Sequence, residues 1–155
     1  MNRLEDKVAI ITGATGGIGK ATVELFIKEG ANVLMVDLNE DNLIEFAKEM
    51  DSNKLSYFQG DVSSLTDNQK SVDLATERYG GLDIFIANAG VAGEIQSIVE
   101  YDEKTFDSVM AVNAKGPFLG LKAAIPALSE RGGGSIIITS SVAGLTGASL
   151  LSPYV

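Results

Sequence analysis

Short, nearly unbroken apolar runs alternate along the chain with longer stretches in which apolar residues recur every three or four positions. The runs at 8–12, 32–36, 55–59, 82–87 and 135–140 have the length and β-branched content of buried strands. The longer stretches predict helices. Residues 18–28 carry Ile18, Ala21, Thr22, Leu25 and Phe26 at helical spacing and stop at Gly30, a residue suited to a C-terminal cap. Residues 39–50 turn Leu43, Phe46, Ala47 and Met50 to one side, and residues 67–79 do the same with Val72, Ala75 (or Thr76) and Tyr79. A long helix is expected from 103 to about 131, interrupted near Gly116-Pro117 and again at Pro126, because proline removes a donor and its ring collides with the preceding turn. The glycines at 132–134 end it.

Strands without polar alternation are covered on both faces, and their regular alternation with helices predicts an α/β, doubly wound parallel sheet. With right-handed crossovers the expected strand order is 3-2-1-4-5, in one domain spanning residues 1–155. In such sheets ligands bind beyond the carboxyl ends of the strands, where the order reverses. Here that lies between strands one and four.

Composition narrows the chemistry. The chain has 155 residues, enough for one sizeable core, with 12 basic and 21 acidic side chains for a net charge of -9. The basic residues are scattered, which argues against nucleic acid and against an anionic membrane surface. No apolar run reaches the length of a membrane span and the first residues are polar, so a cytoplasmic protein is expected. Cysteine and histidine are both absent. Disulfides, thiol catalysis, His-ligated zinc and Ser-His-Asp hydrolysis are excluded. Acid–base work would fall to Asp, Glu, Lys or Tyr.

The first strand runs into Thr12-Gly13-Ala14-Thr15-Gly16-Gly17-Ile18-Gly19 and then a helix. Glycines there permit a tight turn and close approach of backbone to a pyrophosphate, and the helix offers free N–H groups to it. A glycine-rich turn alone is equally a plain strand-to-helix connection; its place in a strand-loop-helix unit favours the nucleotide. Strand two ends at Asp37, 24 residues after Gly13. A carboxylate there can accept from both adenosine ribose hydroxyls. It could also cap the next helix, although Asn39 is available for that. Asp37 repels a 2′-phosphate and no Arg stands at 14, 15 or 38, so NAD is favoured over NADP.

At this point the chain resembles the short-chain dehydrogenase/reductase family over essentially its whole length. The loop fits the pattern Thr-Gly-x-x-x-Gly-x-Gly at Thr12, Gly13, Gly17 and Gly19, and also that of the extended branch, because position 16 is Gly. Later motifs separate the two branches. Asp61-Val62 follows strand three, where the family places an Asp against the adenine amino group. Asn88-Ala89-Gly90 follows strand four and matches the motif that supports the sheet beside the ribose, with Ala87 before it where Asn is common. Asn113, in Val112-Asn113-Ala114-Lys115-Gly116, matches an Asn that holds a water linking active site and solvent. Thr139-Ser140-Ser141 ends strand five, and 13 residues after Ser141 stands Tyr154, the spacing of the compact branch.

The resemblance implies reversible hydride transfer between NAD(H) and a secondary alcohol or ketone. Tyr154 would be the acid/base, Ser141 would orient the substrate oxygen, and Asn113 would support a proton relay. The implied cofactor contacts are Gly13, Thr15, Gly17, Ile18 and Gly19, then Asp37 and Leu38, Asp61 and Val62, Asn88, Ala89 and Gly90, and Val112. No metal is implied. A free tyrosine titrates near pH ~10 and is a poor base at neutrality. The family corrects this with a Lys four residues after the Tyr, whose charge lowers the Tyr pKa. Counting four on from Tyr154 runs three residues past Val155, and Lys115 and Lys122 lie on the long helix with a different part to play. The family also continues with a further helix and two more strands.

The resulting expectation is a fragment of a longer enzyme or a truncated product, with strand five left as an uncovered edge, weak turnover and residual NAD binding. The parent would be a homo-oligomer through the long helix. Two other readings stand beside it. One is a non-catalytic nucleotide-binding or interaction module. The other is an extended-branch epimerase or dehydratase, opposed by the Ser141-to-Tyr154 spacing. The apolar residues expected around the substrate, Val91, Ala92, Ile95, Val142, Leu145, Leu150 and Leu151, favour a hydrophobic alcohol or ketone.

Overall fold

The β-branched runs at the centre of the chain are buried on both sides, which only a sheet with helices on each face allows. The computed structural model describes residues 2–155. Strands β1 (Val8–Thr12), β2 (Asn32–Asp37), β3 (Leu55–Gln59), β4 (Ile84–Ala87) and β5 (Ser135–Ile138) pair in parallel in the order β3-β2-β1-β4-β5. Helices α1 (Gly17–Lys28), α2 (Glu40–Met50), α3 (Leu65–Tyr79), α4 (Glu103–Met110), α5 (Gly116–Glu130) and the short α6 (Ala143–Thr146) complete it.

Alternate residues of each strand serve opposite layers. Ala9, Ile11, Val33, Met35, Ile84 and Ile86 pack against Val23 of α1 and against Leu43 and Phe46 of α2. Val8, Ile10, Leu34, Val36, Phe85 and Ala87 pack against Val72 and Ala75 of α3 and against Ala123, Ala124 and Leu128 of α5. The chain therefore winds outward from β1 in both directions, and the reversal opens a crevice above the carboxyl ends of β1 and β4.

Several boundaries differ from expectation for identifiable reasons. Helix α3 begins at Leu65, because Ser64 caps it by accepting from the Asp67 N–H, while the Asp67 carboxylate accepts from the Asp61 N–H. Strand β4 starts two residues late, since the chain enters through Gly80 and Gly81, both at positive φ. Strand β5 stops at Ile138, because β4, its one neighbour, ends at Ala87. All four β5 residues are exposed. Of the residues that set the helical spacing of α1, Ile18 and Leu25 are 65% and 47% exposed. Gly19 and Val23 form the buried face instead.

The long helix is interrupted earlier than expected. A π-helical turn, Ala111–Lys115, joins α4 to α5, and the Gly116 N–H donates to the Ala111 carbonyl, five residues back. Pro117 cannot donate to the Asn113 carbonyl and its ring would strike it in a regular helix. The widened turn accommodates that. Pro126, in contrast, lies within α5 without ending it.

At the opposite end of the sheet from the crevice, buried Asp83 accepts from the Val8 N–H at 3.0 Å and meets Lys7 and Arg131 at 3.4 and 3.6 Å. Burial pushes its pKa up, but the Val8 N–H, the Lys7 ammonium and the Arg131 guanidinium outweigh this and hold it below the usual carboxylate value. A depressed folded-state pKa contributes stability above about pH 4 and loses it as pH falls through the lower folded value. Asp83→Ala is expected to cost about 1–3 kcal/mol at pH 7, since it leaves a buried N–H unpaired. Urea unfolding of the two proteins should show the difference, and it should shrink below about pH 4.

Candidate functional site

The crevice is built first by the loop after β1. Gly13 sits at φ +61, and a Cβ there would stand 2.8 Å from the Ala89 Cα. Only glycine lets β1 turn so close over the end of β4. A Cβ on Gly19 would meet the Gly13 carbonyl and Ala14, so α1 packs directly onto the loop. Gly17 is different. Its φ is ordinary, and no atom lies within 4 Å of where its Cβ would be. Neither packing nor backbone demands glycine at that point, and the space opens into the crevice.

Helix α1 has no side-chain cap and no acidic residue in its first turn. Helices α2, α3 and α4 are capped by Asn39, Ser64 and Asp102. The first N–H groups of α1 and its positive dipole end are thus left without a side-chain acceptor, at the open space beside Gly17.

Asp37 closes one end of this region. Its Oδ2 accepts from the Thr15 N–H and hydroxyl at 3.0 and 2.8 Å, and Oδ1 accepts from the Asn39 N–H at 3.3 Å. Asn39, as expected, caps α2 through the Asn42 N–H. The carboxylate is therefore already bound to the loop on one oxygen and lightly held on the other. Asp61 accepts from the Ser63 N–H at 2.8 Å within its own turn, and the Val62 carbonyl accepts from Asn68 Nδ2.

The middle of the crevice rests on three strand ends. The Thr12 hydroxyl donates to the Ile86 carbonyl and accepts from the Asn88 and Ala89 N–H groups. Asn88 Nδ2 donates to the Thr12 and Gly13 carbonyls, and Asn88 Oδ1 accepts from the Thr139 hydroxyl. Beyond Gly90, Val91 is held by Asn113: its N–H donates to Oδ1 at 2.9 Å and its carbonyl accepts from Nδ2 at 2.8 Å. The Asn113 side chain is committed to that loop, and Pro117 denies its carbonyl the usual helical donor.

At the far end, Ser141 Oγ accepts from the Ala143 N–H at 3.2 Å, which leaves its proton free to donate. Tyr154 is half-buried in a turn closed by its N–H to the Leu151 carbonyl. A cleft of about 950 Å³ runs from Asp37 and Leu38 past Gly13, Thr15, Gly17, Ile18 and Gly19 to Asp61, Val62, Asn88, Ala89, Gly90, Val112, Asn113, Ser141 and Tyr154. Every residue singled out in the sequence for catalysis or cofactor contact lines it. No group of side chains among the described residues is arranged to hold a metal ion. No described helix is long and apolar enough to cross a membrane.

The family model described as short chain dehydrogenase matches residues 7–155. The chain belongs to this family. It is 42% identical over 157 residues to the sex determination protein tasselseed-2 of Zea mays, a match covering 98% of this chain and 46% of that protein. A glucose/ribitol dehydrogenase of the short-chain family from Brucella melitensis superposes with a TM-score of 0.91 at 35% identity, covering 97% of this chain and 63% of that one. NAD+-bound xylitol dehydrogenase does so with a TM-score of 0.92 at 28% identity, covering 98% and 59%. The chain spans about half the length of the curated relatives it matches.

Sequence reasoning missed part of this short-chain dehydrogenase cleft. Asn42, Pro117, Thr139 and Ser140 also line it. Thr139 carried a signal, since a hydroxyl at a strand end beside an Asn-bearing strand end invites a cross-strand bond. Of the apolar residues expected around the substrate, Val91 and Ala92 line the cleft. Ile95, Val142 and Leu145 stand 78%, 72% and 88% exposed.

Two glycine substitutions separate fold from site. Gly13→Ala is expected to destabilise by about 1–3 kcal/mol, from positive φ and the contact with Ala89. Gly17→Ala is expected to leave stability within about 0.5 kcal/mol of the parent. Thermal unfolding of both proteins checks this.

Proposed function

We propose that the protein is an NAD(H)-dependent oxidoreductase acting on a secondary alcohol or ketone. The observation that carries the reading is a single cleft holding an uncapped helix N-terminus with open space at Gly17, a carboxylate at Asp37, and Ser141 and Tyr154. The donor set fits a dinucleotide: backbone N–H groups of α1 for the pyrophosphate, Asp37 Oδ1 and the Thr15 hydroxyl for the adenosine ribose, and Asp61-Val62 for the adenine. The similar xylitol dehydrogenase, which has NAD+ bound, supports the same choice.

Among the described residues, no Lys or Arg lines the cleft, while Asp37 and Asp61 do. A 2′-phosphate would meet negative charge with no cation to receive it, so NAD is preferred to NADP. Bound in this cleft, a nicotinamide supplies or accepts the hydride. The rest is the work of the chain. Tyr154 gives a proton to the substrate oxygen during reduction and takes it back during oxidation. Ser141 donates a hydrogen bond to that oxygen and orients it. Asn113 holds Val91 at the cleft wall, so any water-mediated relay would run through its carbonyl.

Fluorescence titration tests the cofactor. NADH is expected to bind at least about tenfold more tightly than NADPH, because like charges placed together are costly. Gly17→Ala should weaken NADH binding severalfold at unaltered stability. In the natural full-length protein, Tyr154→Phe is expected to lower turnover of a secondary alcohol about 10²–10⁴-fold with NADH affinity unaltered. Tight NADH binding with no turnover of any alcohol or ketone would favour a non-catalytic nucleotide-binding module instead. Absence of NADH binding by the folded protein would contradict both.

A further inference from the structure

Asn68 is 4% exposed, on the buried face of α3 that also carries Ser71, Val72 and Ala75. A buried amide is costly unless its groups are bonded. Here Nδ2 donates to the Val62 and Ser64 carbonyls, both at 2.8 Å. Two carbonyls at that distance fix which end of the amide points at the turn. Its neighbour Asp67 works on the same turn from the other side: Oδ2 accepts from the Asp61 N–H at 3.1 Å. Consecutive side chains of α3 therefore grip the Asp61-Val62 dipeptide at both ends, one by its first N–H and the other by its last carbonyl. Within the turn, the Asp61 carbonyl accepts from the Ser64 N–H and Asp61 Oδ1 accepts from the Ser63 N–H. Among the described residues, the Val62 N–H and Asp61 Oδ2 are left without a partner, and both residues line the cleft.

We propose that Asp67 and Asn68 form a positioning clamp, which holds the Val62 N–H and the Asp61 carboxylate side by side to read the Watson–Crick edge of adenine. The proposal rests on the dinucleotide reading of the cleft. Adenine presents an acceptor at N1 and an amino donor at N6, so a donor and an acceptor fixed side by side complement it. Hypoxanthine presents the opposite pair, an N1–H donor and an O6 acceptor. A turn free to shift loses the distinction, because hydrogen bonds weaken steeply with misalignment. Neither Asp67 nor Asn68 lines the cleft, so both act through the turn.

Fluorescence titration of the 155-residue protein with NADH and with its hypoxanthine analogue reads the clamp directly. The two ligands differ only in the base, so their affinity ratio cancels a general loss of structure. The unsubstituted protein is expected to prefer NADH about tenfold, the scale of one hydrogen bond. Asn68→Leu, similar in size and without donors, should bring that ratio to about threefold or less. Asp67→Ala, at a half-buried position, should do the same and serves where Asn68→Leu does not fold. Ser71→Ala removes a hydroxyl that donates to the Asn68 carbonyl at 2.7 Å and bonds to no part of the turn. It should lower the melting temperature and leave the ratio as it was. Three results would overturn the proposal: equal affinity of the unsubstituted protein for the two dinucleotides, an unaltered ratio in the folded clamp variants, or the same fall in Ser71→Ala. If the unsubstituted protein binds neither dinucleotide, the dinucleotide reading fails by itself. Hydrogen exchange then decides on the clamp. The Ser63 and Ser64 amides should exchange at least about threefold faster in Asn68→Leu, and unaltered exchange would sink the idea.

Discussion

The Thr12 hydroxyl uses its whole capacity where β1 meets β4: it donates to the Ile86 carbonyl and accepts from the Asn88 and Ala89 N–H groups. These are backbone groups that a parallel pair cannot satisfy once its strands diverge. The segments that leave β1 and β4 have to part here, because the first crosses to the α1–α2 face of the sheet and the second to the α5 face. Parting opens the crevice, and the Thr12–Asn88 contacts keep it from fraying. Asn88 then carries the constraint to the glycine loop on one side and to Thr139 on the other. The positions of the cradle, the ribose end and Ser141 all follow from this joint.

Among the described residues, the cleft lining holds two carboxylates and no basic side chain, so an anionic ligand there would have to be met by backbone dipoles. Helix α1 is the one positioned to do so, uncapped and open at Gly17. The Thr15 bonds to Asp37 add a second feature. They hold the carboxylate against the loop. With a net charge of -9, the overall field does not favour an anionic ligand, so any attraction has to come from local geometry.

Much of this was legible in the sequence because strong, local signals coincide. Strands β1 and β3 occupy the predicted residues, and the sheet order followed from strand–helix alternation together with right-handed crossovers. The residues assigned to catalysis and cofactor contact line one cleft, most of them because they follow strands that end on the same rim, while Val112 and Asn113 reach it from the π-helical turn between α4 and α5. What was not legible depended on tertiary choices. Helix α3 starts two residues before the expected Asp67, because Ser64 accepts from the Asp67 N–H while the Asp67 carboxylate accepts from the Asp61 N–H. The buried face of α1 was set by the close approach of Gly19 to the loop, which apolar spacing does not register. The π-helical turn arises from Pro117 within a long helix; proline predicted a break, but not that the break would widen the turn before it. The bond between Thr139 and Asn88 joins residues 51 apart, and its one signal, a hydroxyl at the end of a strand beside an Asn-bearing strand, is readable only once the strand order is fixed.

The central claim is that one preformed cleft seats a dinucleotide from Asp37 to Tyr154. A crystal structure of the protein grown with NADH tests it most directly. The account predicts the pyrophosphate over Gly17 at the start of α1, the adenosine ribose on Asp37 and Thr15, and the nicotinamide beside Ser141 and Tyr154. NADH bound elsewhere, or lying in the cleft with its ends reversed, would contradict it.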